Sequence, residues 1–83
     1  MTQTIKLQYP VTVDGEEITE LHIRRPKMRD VKRAQKHKDD VERSMGLIAD
    51  LAEISPRAVE ELDAADFTAV SKIVGEFMGA SDG

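Results

Sequence analysis

The fold turns on the stretch Ile5-Lys6-Leu7-Gln8-Tyr9-Pro10-Val11-Thr12-Val13-Asp14-Gly15-Glu16-Glu17-Ile18-Thr19-Glu20-Leu21-His22-Ile23-Arg24. Apolar side chains occupy every odd position from Ile5 to Val13. Period two is the mark of a strand with one buried face. Asp14-Gly15 then forms a hairpin signal, because glycine takes positive φ without strain. Pro10 has no N–H for a ladder, which points to an edge position or a bulge.

Register follows from parity. A two-residue turn at Asp14-Gly15 pairs Val13 with Glu16, Tyr9 with Glu20 and Leu7 with His22, setting apolar groups opposite polar ones. Adding one residue pairs Tyr9 with Leu21 and Leu7 with Ile23, which puts four apolar side chains together. A three-residue loop or a bulge near Glu16–Ile18 is therefore expected, with Ile18 the odd one out.

Arg24-Arg25-Pro26 ends the hairpin, which spans residues 5–24. Proline disfavours helical geometry in the residue before it and suits a first helical turn, so a helix is expected from Pro26 or Lys27. Met28, Val31, Gln35, Lys38, Val41, Met45, Ile48 and Ala52 step at three and four residues, an amphipathic stripe with a polar waist at Gln35 and Lys38. The waist allows one bent helix or two helices, with Asp39 or Asp40 capping the second. Ser55-Pro56 restarts a helix, with Val59 and Leu62 inward. Asp63-Ala64-Ala65-Asp66 opens the last one, in which Phe67, Val70, Ile73, Val74, Phe77 and Met78 recur at helical spacing on one side. Gly79 ends it. The expectation is an α+β fold: an N-terminal antiparallel β-hairpin followed by three or four α-helices over residues 26–79, and a flexible tail at 80–83. With 83 residues, this is one domain. Such a chain buries only about 60–65 % of the surface it exposes when unfolded.

Charge is segregated along the chain. Residues 24–38 hold eight basic residues, Arg24, Arg25, Lys27, Arg29, Lys32, Arg33, Lys36 and Lys38, against the single acid Asp30, for a net +7. Of the whole chain's 12 basic and 16 acidic residues, that leaves 4 basic and 15 acidic elsewhere. Blocks of this kind steer partners. Phosphate contacts are one use of the basic block, which makes a small nucleic-acid-binding or regulatory module, acting through segment 24–38, the alternative reading. Against it, the aromatics Tyr9, Phe67 and Phe77 all lie outside the block, so it carries no stacking platform. A charged helix face that pairs with the chain's own acids, or with an acidic partner, is the plainer reading.

Little catalytic chemistry is in view. There is no cysteine, which excludes disulfides and thiolate-ligated metals. His22 and His37 are not at metal-ligand spacing, and His22 reads as a solvated or cross-strand side chain. Glu16-Glu17 and Asp39-Asp40 are adjacent pairs whose side chains diverge. Asp63 and Asp66 read as caps. No phosphate-binding glycine loop is present. The expectation is a non-enzyme without cofactor or metal. No apolar run approaches the roughly 18–20 residues of a membrane span, and Met1-Thr2-Gln3-Thr4 lacks a signal-peptide pattern. The candidate partner surface is Arg29, Lys32, Arg33 and Lys36 with the apolar Met45, Phe77 and Met78, methionine being suited to adaptable contact surfaces.

The run Tyr9 to Leu21, then Ile23-Arg24-Arg25-Pro26 and Asp30-Val31, resembles the opening of a tail assembly chaperone family of contractile-tailed phages and prophages. Leu47-Ile48-Ala49, Leu51-Ala52, Ile54-Ser55 and Leu62-Asp63-Ala64-Ala65-Asp66-Phe67 match its second half in order and spacing. The resemblance implies a protein that binds the long, helical tape measure protein and keeps it soluble during tail assembly. It further implies action in the cytoplasm of the bacterial host and absence from the mature virion. The partners it suggests are the tape measure protein and tail tube subunits; self-association is a separate expectation, since so short a chain gains stability when a second copy covers apolar area. A third reading is a structural oligomer subunit. The family supplies no catalytic residues.

Overall fold

Two strands open the chain in the computed structural model, which describes residues 2–79. Strand β1 (Thr2–Val13) pairs antiparallel with β2 (Glu16–Arg24). Asp14 and Gly15 both take the left-handed conformation, with φ of 53° and 80°. Two such residues close the tightest hairpin and match the twist of the strands. Val13 accordingly pairs with Glu16, and Val11 with Ile18. The three-residue loop or bulge near Glu16–Ile18 is thus overturned, and Ile18 is not the odd residue out.

The irregularity lies further along, and on the other strand. Beyond it, Lys6 pairs with Glu20, Ile5 with Leu21 and Gln3 with Ile23. The four residues Leu7–Pro10 therefore stand against Thr19 alone, three more than a regular ladder would hold. Three is odd, so the parity argument found the right kind of shift and put it in the wrong place. Leu7 does not pair with Ile23, nor Tyr9 with Leu21; Leu7 is buried while Tyr9 is 56 % exposed. Pro10 has no N–H to leave unpaired in this segment. The N–H groups of Gln8 and Tyr9 each donate to the carboxylate of Asp66, at 3.0 Å. Asp66 is buried. It therefore anchors the bulge and is not the cap its sequence position suggested.

Four helices follow: α1 (Met28–Ala34), α2 (Asp40–Ala52), α3 (Pro56–Glu60) and α4 (Ala64–Phe77). The α+β expectation holds. Pro26 precedes α1, with Lys27 at its N-cap. The polar waist is a break between two helices. Asp39 caps α2 by accepting from Glu42 N–H at 3.1 Å. Arg43 secures the connection: its guanidinium donates to the carbonyls of His37 and Lys38 and pairs with Asp40. Glu53 ends α2 in the left-handed conformation, φ 57°. Ser55 accepts from Ala58 N–H, and Asp63 from Ala65 N–H, as N-caps of α3 and α4. After α4, Gly79 takes a positive φ of 74°. The tail expected at 80–83 lies outside the described residues.

The core sits between the hairpin and the helices. Leu7, Leu21 and Ile23 come from the strands, Ile48 and Leu51 from α2, and Val59, Leu62, Val70 and Val74 from the later segments. Helix α2 is the hub, packed on α1, α3, α4 and β2. The apolar stripe predicted from Met28 onward is fully buried only at Ile48. Ile48 is buried, Met45 and Ala52 are half-buried, and Met28 and Val41 are 77 % and 60 % exposed. No described helix is long and apolar enough to cross a membrane.

Candidate partner-binding surface

The surface of α1 owes its character to one acid turned inward. Asp30 is the only carboxylate in the 24–38 segment, and it is 1 % exposed. It accepts both guanidinium arms of Arg24 at 2.9 Å and the N–H of Lys27 at 2.8 Å. The hydrogen-bonded Arg24 guanidinium holds its carboxyl well below the usual carboxylate range, and Asp30 in turn raises Arg24. This pair fixes the start of α1 to the end of β2. It also leaves the charged side chains on the outer face of the helix all cationic.

Arg29, Lys32, Arg33 and Lys36 are all exposed and line one shallow hollow together with Gln35. Arg33 reaches Asp50 of α2 at 3.4 Å. Among the described residues, no acid lies within ion-pair distance of Arg29, Lys32 or Lys36. Self-neutralisation, the plainer reading of the basic block, thus applies to Arg24 and Arg33 and not to these three.

Beside this face lies an apolar cleft of about 260 Å³ between α1, α2 and the end of α4. Val31 and Ala34 line it from α1, Leu47 from α2 and Met78 from the residue after α4, with Ser44, Arg43 and Asp40 also at the cleft. Gln35 lines both the cleft and the cationic hollow, so the two are contiguous.

The structure therefore brings together five of the seven residues predicted for the partner surface: the four α1 cations and, in the adjoining cleft, Met78. The other two lie apart. Met45 is half-buried and packs against the core. Phe77 is half-buried beneath Arg25, whose guanidinium carbon stands 5.3 Å from the ring centroid and whose Nη2 donates to the Phe77 carbonyl at 3.2 Å. Cation–π contact and a cap on the C-terminal end of α4 occupy that side chain internally. Leu47 was missed because it falls off the Val41–Met45–Ile48 stripe; an apolar residue on the second face of a helix was the available signal.

A second, larger hollow of about 570 Å³ lies where β2 meets the link between α2 and α3. Asp14, Glu16, Glu17, Glu20 and Glu53 make it acidic, over Val13, Ile18, Ile54 and Ala58. On the exposed sheet, His22 bridges Thr4 Oγ1 at 3.0 Å and Glu20 at 3.2 Å, the cross-strand role expected of it. The His37 ring lies over Gly46. No group of three or more His, Asp or Glu side chains among the described residues is placed to hold a metal ion.

The family model described as "Phage tail assembly chaperone proteins, E, or 41 or 14" matches residues 4–79. No curated protein and no solved structure matches the chain.

Proposed function

The chain belongs to the phage tail assembly chaperone family, and we propose that its client is the tape measure protein, which it holds soluble until tail tube subunits enclose it. The match across residues 4–79 carries this reading. The cationic face of α1 and the cleft beside it support it. A long helical client with apolar stripes aggregates when those stripes face water. A small, highly charged partner covers them with apolar surface while turning charge outward. The chaperone must later come away, so each copy makes a weak contact of less than about 1,200 Å² in total, and many copies bind one client. The protein works in the host cytoplasm and leaves before the virion is complete.

Co-expression with the tape measure protein of the same phage tests the reading. Soluble yield of the client rises, and the two proteins co-purify more strongly at low salt than at high, since screening weakens the contribution of Arg29, Lys32, Arg33 and Lys36. Purified virions contain none of the chain. Absence of association at either salt concentration, together with a shift of duplex DNA at physiological salt, overturns the proposal in favour of a nucleic-acid module.

A further inference from the structure

We infer that the cleft between α1, α2 and the end of α4 seats one amphipathic helix of the client, and that this helix carries carboxylates along the flank facing α1. The inference rests on the reading of the chain as a chaperone for the tape measure protein, and it names the surface chemistry that such a client must present.

The floor of the cleft is aliphatic: Val31, Ala34, Leu47 and Met78. Ala34 and Ser44, small residues on α1 and α2, leave space between the two helices. Met28, one turn before Val31, is 77 % exposed and extends apolar surface along α1. At about 260 Å³ and open to solvent, the cleft falls below the roughly 300–1,000 Å³ of a typical small-molecule site. Its length is set by α1, whose seven residues span about 10 Å. Two turns of a partner helix cover that distance, with side chains at i, i+3 or i+4, and i+7 entering the cleft.

Charge decides which helix. Arg29, Lys32 and Lys36 stand on the adjoining face without an ion-pair partner among the described residues. Among the described residues, the one acid lining the cleft, Asp40, is tied to Arg43 at 2.8 Å. A helix seated there meets uncompensated positive charge along one side. Carboxylates on that flank gain from it, and lysines lose. A cationic segment finds its complement in the acidic hollow of Glu16, Glu17 and Glu53 instead, which shares no residue with the cleft.

The test uses two designed helical peptides of about 18 residues, long enough to hold helical structure. Both carry leucines at i, i+3 and i+7, and they differ in having glutamates or lysines along one flank. Titrated into the ¹⁵N-labelled protein at low salt, the glutamate peptide shifts the amides of Val31, Ala34, Ser44 and Leu47. It binds about tenfold more tightly than the lysine peptide, a gap that narrows at high salt. Ser44→Trp, at an exposed position, fills the cleft and weakens binding about tenfold. Lys32→Glu with Lys36→Glu reverses the preference between the peptides and leaves the core untouched. The inference is overturned if Ser44→Trp binds like the wild type, if the charge-reversed variant keeps the original preference, or if the shifts fall on the acidic hollow. A parallel pull-down separates the two readings. If Ser44→Trp retains the tape measure protein undiminished, the cleft is the wrong site and the client reading stands. If the peptide occupies the cleft while the wild-type protein never retains the tape measure protein, the client reading fails and the cleft chemistry stands.

Discussion

Replacing Asp66 with alanine tests the contact that anchors the bulge in β1. The carboxylate is 4 % exposed and takes the N–H groups of Gln8 and Tyr9, each at 3.0 Å. These are the donors that the bulge removes from the ladder. A hydrogen bond to a charged group contributes about 1.5–3 kcal/mol. Gln8 and Tyr9 are themselves exposed, so water can reach the freed donors once the carboxylate is gone. The low end applies, and the pair sums to about 2–4 kcal/mol for Asp66→Ala. Asp66→Asn keeps one acceptor and sets an amide NH₂ against a backbone N–H, so it loses about 1–3 kcal/mol. A chain of this length has a total stability of about 4–12 kcal/mol. A loss of 2 kcal/mol lowers Tm by roughly 8–16 °C in a domain of this size. Urea unfolding followed by circular dichroism measures the change, and amide exchange at Gln8 and Tyr9 locates it. An Asp66→Ala variant within about 0.5 kcal/mol of wild type would refute the anchoring role. So would unchanged exchange at those two amides.

Asp30→Ala should cost about 2–4 kcal/mol, less than for a fully buried pair because Arg24 keeps some access to water. The Asp30 carboxyl sits below its unfolded value of about 3.9, so its contribution is complete above that pH and shrinks as pH falls below it; unfolding curves of wild type and Asp30→Ala that stay parallel from pH 7 to pH 2 would contradict this. Leu62→Ala should destabilise by about 2–4 kcal/mol and Phe67→Ala by about 1–3 kcal/mol, since Leu62 is buried and Phe67 half-buried against the core; thermal melts decide, and an unchanged Leu62→Ala would mean the α3–α4 corner is not packed as described. In Gly46→Ala the new methyl meets the tip of the His37 ring at 2.9 Å. His37 is exposed and free to swing aside, so the helix-propensity gain of up to about 1 kcal/mol prevails. A loss greater than about 1 kcal/mol would show that the His37 contact holds the α1–α2 turn.

The legible parts of the fold were those fixed by local chemistry. Ser55 and Asp63 announce their helices because a short polar side chain can take the orphan N–H groups of the first turn, and nothing distant is needed. Asp14-Gly15 announces the hairpin for the same reason. The bulge was illegible because its cause lies more than fifty residues away: the donors at Gln8 and Tyr9 are satisfied by Asp66 on α4. With the acceptor unknown, the pattern allowed an odd shift but not its location, and Asp66, beside a true cap at Asp63, looked like another cap. The partner surface divides in the same way. The run of cations is visible in sequence, but that Arg29, Lys32 and Lys36 have no ion-pair partner among the described residues while Arg33 finds Asp50 depends on how α1 lies on α2. Phe77 reads as contact surface in the sequence, but Arg25, brought over its ring by the fold, covers it.

The placement of α1 links these anchors to the chaperone role. A seven-residue helix rich in like charges has little stability of its own. It is held at one end by the Arg24–Asp30 pair on β2, and at the other by the turn that Arg43 pins through the carbonyls of His37 and Lys38. Both anchors consume charge inside the protein: Asp30 would otherwise neutralise the outer face, and Arg43 is spent on Asp40 and the turn. What remains outside is a row of cations on a helix anchored at both ends, beside an apolar cleft. Since that row is ordered before any partner arrives, association is spared the cost of fixing its backbone, about 1–2 kcal/mol per residue. The long side chains still pay to be immobilised, which keeps each contact weak. A surface of this kind suits the client proposed above, which many copies of the chain would hold weakly and then leave.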